Sequence, residues 1–111
     1  MAGNFEGIKT RNFGIEIEMT GLTRCQAARA IAKVLGGTAF HEGGSYDKYT
    51  VDDEQGRTWS IVYDGSVKCV DANGNSASKS YSVELNSPVL GYEDIPLLQE
   101  VIRALRHAKG R

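Results

Sequence analysis

Glu16 and Glu18 stand two positions apart in a run, Phe13 to Met19, that alternates apolar with small or acidic residues. Phe13, Ile15, Ile17 and Met19 share one parity, and Gly14, Glu16 and Glu18 the other, which is the period of a half-buried strand. Two carboxylates so spaced project from the same side, roughly 7 Å apart at the backbone. Glu84 repeats the arrangement, because Tyr81, Val83 and Leu85 alternate with Ser82, Glu84 and Asn86. Asp64 shares the parity of Ser60, opposite to that of Trp59, Ile61 and Tyr63, so it is also assigned to the face away from the core. Four acids on one sheet face offer hard oxygen ligands. These suit magnesium or manganese, with waters and a nucleotide phosphate completing the shell. Acids are equally ordinary on the solvated face of an antiparallel sheet, where they need no ion. Like charges on neighbouring strands do cost stability, which favours a cation or a basic partner such as Arg57 or Lys68.

Other chemistry-bearing residues carry less. His41 beside Glu42 reads as a solvated turn histidine before a ligand or base. His107 falls near a helix C-terminus, where the macrodipole accounts for a cation. Cys69 has no base near it in sequence, and Ser66 in Asp64-Gly65-Ser66 lacks the flanks of a nucleophile elbow. Gly36-Gly37 and Gly43-Gly44-Ser45 read as turns, since neither completes a phosphate-binding loop. Trp59, Tyr63 and Tyr81 lie at strand period and are expected in the core. No residue is assigned a catalytic role.

The elements that must position the acids follow from period and punctuation. A strand over 13 to 19 leads to Thr23-Arg24-Cys25-Gln26, a capping box that opens a helix. Ala27, Ala28, Ile31, Val34 and Leu35 give this helix a narrow apolar stripe, and Gly36-Gly37 stops it. A short strand is expected over 38 to 41. Segments 46 to 51 and 57 to 63 flank a turn at 52 to 56 and predict a hairpin. Residues 71 to 80 hold no apolar side chain larger than alanine and predict a mobile loop. Strand 81 to 85 then ends before Pro88. Asp94 is the predicted N-cap of a last helix, in which Leu98, Val101, Ile102 and Leu105 form one face. The fold class is α+β: an antiparallel sheet of about four to five strands with two helices packed on its apolar face.

Composition sets the outer limits. The 111 residues suit one domain, with 1 to 11 as a flexible lead-in. A net charge of -1 argues against a strong direct grip on nucleic acid. Cys25 and Cys69 show no paired or zinc-binding spacing, so a reducing, cytoplasmic compartment is expected. The first residues resemble no leader, and no apolar run is long enough to cross a membrane.

An ordered set of short segments adds a resemblance. Phe13-Gly14-Ile15-Glu16-Ile17-Glu18-Met19-Thr20-Gly21, Tyr46-Asp47-x-Tyr49, Gly56-Arg57-x-Trp59, Asp64-Gly65-Ser66, Val83-Glu84-Leu85-x-Ser87-Pro88 and Tyr92-Glu93-Asp94-Ile95 together resemble the opening segments of the amidoligase family. Its members are similar to glutamine synthetase and glutamate–cysteine ligase, and join carboxylates to amines using ATP. The resemblance implies half of such a ligase barrel, with Glu16, Glu18 and Glu84 at metal–nucleotide positions. It also places Asp64, Ser66 and Arg57 near a nucleotide- or partner-binding pocket, with magnesium and ATP as cofactors if the ligase reading holds.

Family members continue past the last helix into a second half that closes the active site, and no His-x-His pattern occurs here. The resemblance therefore implies a truncated domain, non-catalytic as an isolated chain, retained as a binding or inhibitory module with a protein partner. Because the family is frequent on phages and other mobile elements, one expected partner is a nucleic-acid-guided nuclease, which an anti-CRISPR-like inhibitor would block. The alternatives are a ligase half completed by another chain, and a fragment whose function resides in a longer parent. Open edge strands also suggest a homodimer.

Overall fold

A computed structural model describes residues 11–111. The predicted lead-in lies, apart from Arg11, outside the described residues. The alternating segments become β1 (Glu16–Met19), β2 (Phe40–Gly43), β3 (Lys48–Asp52), β4 (Thr58–Val62) and β5 (Val83–Asn86). They form one antiparallel sheet in the order β1-β5-β4-β3-β2. Helix α1 is Arg24–Leu35 and helix α2 is Ile95–His107. The α+β reading, with two helices on one face of the sheet, is what the structure shows.

Period two decides what each strand buries. Val51, Trp59, Ile61, Val83 and Leu85 are buried from the sheet side, and Ala27, Ala28, Ile31 and Leu35 of α1 meet them. Val101 and Leu105 of α2 and the flanking Leu22 and Leu90 complete the core. Each fully buried aliphatic side chain here contributes about 1.5–3 kcal/mol. Small alanines on α1 let it sit close to β3 and β4, and α2 packs against α1. No helix of the described residues is long and apolar enough to cross a membrane.

Local signals explain the element ends. The Thr23 hydroxyl accepts from Gln26 N–H, and the Gln26 side chain accepts from Thr23 N–H, so the predicted capping box is present. Gly36 caps α1 in the left-handed region at φ 72°, where glycine has no Cβ penalty. Asp94 stands at the N-cap of α2, as predicted, but caps it by position alone. Its side chain makes no capping bond to α2; instead it accepts from Gly91 N–H at 2.8 Å and pairs with Arg57. The loop predicted over 71 to 80 is internally bonded: Asp71 Oδ1 accepts from Asn73 and Asn75 N–H, and Val70 bridges to Ser76.

Candidate functional site

The open sheet face carries the acids. Glu18 lies directly opposite Glu84 in the β1–β5 register. Ser87 N–H donates to Ile15 O and Ile15 N–H to the Ser87 hydroxyl, so odd residues of β1 turn their peptide groups toward β5. Glu18–Glu84 is therefore a non-hydrogen-bonded pair, the kind in which opposed side chains come closest. Two like charges there are destabilising. Asp64 joins them from beyond the end of β4. Glu18, Asp64 and Glu84 each bring one carboxylate oxygen within 4.8 Å of the other two.

Neighbouring groups hold this arrangement. Ser66 donates to Asp64 Oδ1 twice, from its backbone N–H and its hydroxyl, each at 2.9 Å. Asp64 N–H donates to the hydroxyl of buried Ser82, which returns a bond to Asp64 O and pins the turn to β5. The Asn86 amide donates to Glu84 Oε2 at 2.9 Å. The Glu18 carboxyl is raised above its ordinary value, first by a hydrogen bond with Asp64 and then by the charges of Asp64, Glu84 and Glu16. Asp64 is lowered, chiefly by the two Ser66 donors. Acids that perturb one another in this way are short of positive charge. Among the described residues no lysine or arginine is ion-paired with any of the three.

Placement differs from the sequence expectation at two residues. Glu16 stands opposite Asn86, one row from the cluster, and is exposed. It is not among the three acids that converge, because strand spacing keeps it a full residue pair away. Arg57 immediately precedes β4 whereas Asp64 follows it, so the two are roughly 20 Å apart along the strand. Arg57 is consumed elsewhere: Nε meets Asp53 at 2.9 Å and Nη1 meets Asp94 at 2.8 Å. Lys68 is exposed and makes no ion pair with the acids.

A second polar cluster lies on the helix side, at the start of α1. Arg24 is buried and bonds Asp47, Lys79 O and Ser82 O. Asp47 also meets His41 Nε2 at 2.6 Å, and the His41 ring stacks on Tyr49 with centroids 4.2 Å apart. The Asp47 carboxyl is held low, first by Arg24 and then by His41. Arg24 clamps the segment that carries Ser82 and, through it, Asp64.

Sequence reasoning missed Ser82, Asn86 and Arg24 as positioning residues. Ser82 and Asn86 were legible only as polar-parity neighbours of Glu84. Nothing in the pattern marked Arg24 as reaching the β3 turn.

The donor set suits a hard divalent cation. Its ligands are carboxylate oxygens alone, and they converge from three chain segments. No curated protein and no solved structure matches the chain. A family model described as "Putative amidoligase enzyme" matches residues 9–111. That match takes in every strand and helix described above, and the chain belongs to the amidoligase family.

Proposed function

We propose that this domain supplies the metal–nucleotide face of an ATP- and magnesium-dependent carboxylate–amine ligase. The observation that carries the reading is the convergence of Glu18, Asp64 and Glu84 on one point, each within 4.8 Å of the others. Mutual repulsion opposes so close a convergence, and a bound cation would relieve it. Magnesium held there would screen the phosphates of ATP. The chain's own residues do the positioning: Ser66 and Ser82 fix Asp64, and Asn86 fixes Glu84. The reaction class, by family membership, is activation of a carboxylate at the expense of ATP and transfer of its acyl group to an amine.

Calorimetric titration with magnesium, then with magnesium and ATP, tests the reading. Saturable binding in the native chain, abolished in a folded Glu84→Gln variant, is the expected result. A folded chain that takes up neither ion nor nucleotide would overturn it. The acids would then serve a binding module facing a basic protein partner, such as a nucleic-acid-guided nuclease.

A further inference from the structure

The turn between β2 and β3 supplies none of the three acids, yet it holds the segment that presents Asp64 by two routes. In the first, both oxygens of the Asp47 carboxylate are engaged: Oδ1 meets His41 Nε2 at 2.6 Å, and Oδ2 accepts from Arg24 Nε at 2.9 Å. Arg24 Nη1 donates to Lys79 O at 2.9 Å and to Ser82 O at 2.8 Å. The Ser82 hydroxyl then exchanges hydrogen bonds with the Asp64 backbone. In the second, Tyr63 N–H donates to Tyr46 O at 2.9 Å, and the Arg24 guanidinium lies 5.5 Å from the centre of the Tyr63 ring. Both routes end on neighbouring peptide groups, at Tyr63 and Asp64.

Asp47 sits at φ 47°, in the left-handed region that L side chains adopt rarely and aspartate more readily than most. The conformation has a beneficiary. Arg24 is 8 % exposed, and a buried guanidinium needs a charged partner, which the Asp47 carboxylate provides.

We infer that Asp47 is a positioning residue for the acid cluster: through Arg24 it fixes Ser82, and through Ser82 the turn from which Asp64 faces Glu18 and Glu84. On the ligase reading, on which this consequence rests, cation affinity then depends on a side chain from a turn that supplies no ligand. Arg24 is the shared strut, because it touches Asp47, the 79–82 segment and the Tyr63 ring at once.

The test uses the full chain, with manganese as the probe ion and a second readout that needs no metal. Asp47→Gly removes the carboxylate and suits the left-handed backbone, so the turn itself stays unstrained. Without metal, amide exchange at Asp64 should quicken about tenfold relative to Ile61, which is paired with β3. With manganese, the dissociation constant should rise about tenfold, as when an outer-shell partner is lost. Asp47→Asn keeps an oxygen that accepts from Arg24 and should recover part of both losses. Val101→Ala, a core truncation on α2, should lower the melting temperature and leave both readouts unchanged.

If Asp47→Gly does not fold, Arg24→Lys carries the test. It keeps the buried charge, but one ammonium does not reproduce the guanidinium's fork, and the same two changes are expected. Native exchange at Asp64 in the folded variants, unchanged manganese affinity where the native chain binds the ion, or equal changes in Val101→Ala would each overturn the inference. A native chain that binds no manganese would sink the ligase reading instead, and the exchange ratio alone would then decide the role of Asp47.

Discussion

Two carboxylate groupings at opposite ends of β4 show the same residue type in opposite electrostatic states. At the start of the strand, Asp53 and Asp94 are nearly inaccessible, and every charge is answered. Arg57 bridges them, Trp59 Nε1–H donates to Asp53 Oδ2 at 3.0 Å, and backbone N–H groups of Gln55, Arg57 and Gly91 fill remaining acceptor sites. Both acids are held below their ordinary value. In Asp53 burial opposes the shift and is overcome by the Trp59 and Arg57 donors, whereas in Asp94 the Arg57 bond leads. One cost remains, since Arg57 Nη2 is buried without a partner. Past the other end of the strand, Glu18, Asp64 and Glu84 converge with no cation from the described chain, and Glu18 is pushed up instead. A satisfied network ties β4 to the start of α2. The unsatisfied one is the candidate site.

Breaking the satisfied network should have the largest effect. Arg57→Met leaves two buried carboxylates uncompensated and should cost about 3–5 kcal/mol, read from the urea midpoint. A loss well under 1 kcal/mol would mean that the pairing is not what holds β4 to α2.

Acid should divide the two regions next. Asp53 and Asp94 have folded values below 3.8, so their stabilisation is complete above 3.8 and is lost as pH falls through the lowered values. Glu18 runs the other way. Its folded value lies above 4.5, so the charged form is disfavoured when folded, and falling pH relieves that cost. Thermal melts in the presence of a chelator should therefore show a slight gain on approaching the carboxylate range from neutrality, then a steep loss below 3.8. Glu18→Gln should remove the gain and keep the loss.

The same Glu18→Gln variant, melted at neutral pH without metal, should be no less stable than the native chain, because it deletes one of three mutually repelling charges. A clear drop in its melting temperature would show that the acids stabilise the fold rather than await a cation. The smallest effect should come from Asn86→Ala, which frees the Glu84 carboxylate to rotate. Magnesium affinity should fall by about tenfold with little change in the melt.

The resemblance motifs divide along the same line. Asp64-Gly65-Ser66, Glu18 and Glu84 build the acid cluster. Arg57, Trp59 and Asp94, although they sit in equally distinctive segments, are scaffold: Arg57 donates to Asp94, and Arg57 and Trp59 both donate to Asp53. Local sequence does not separate these cases, because an aspartate that accepts from tryptophan and one that faces two glutamates look alike in a string.

Period, caps and punctuation determined the elements. Alternation at Phe13 to Met19, the Thr23 capping box and the Gly36 stop are contacts among near neighbours, so the chain states them directly. Alternation also put Glu18, Glu84 and Asp64 on the open face without reference to any fold. Only the tertiary structure decided that Glu18 opposes Glu84, that Asp64 closes the cluster while Glu16 stands aside, and that Arg57 belongs to the other end. Those facts depend on strand order and register. Both are set by how the whole apolar face packs beneath α1 and α2, through contacts between residues far apart in the chain.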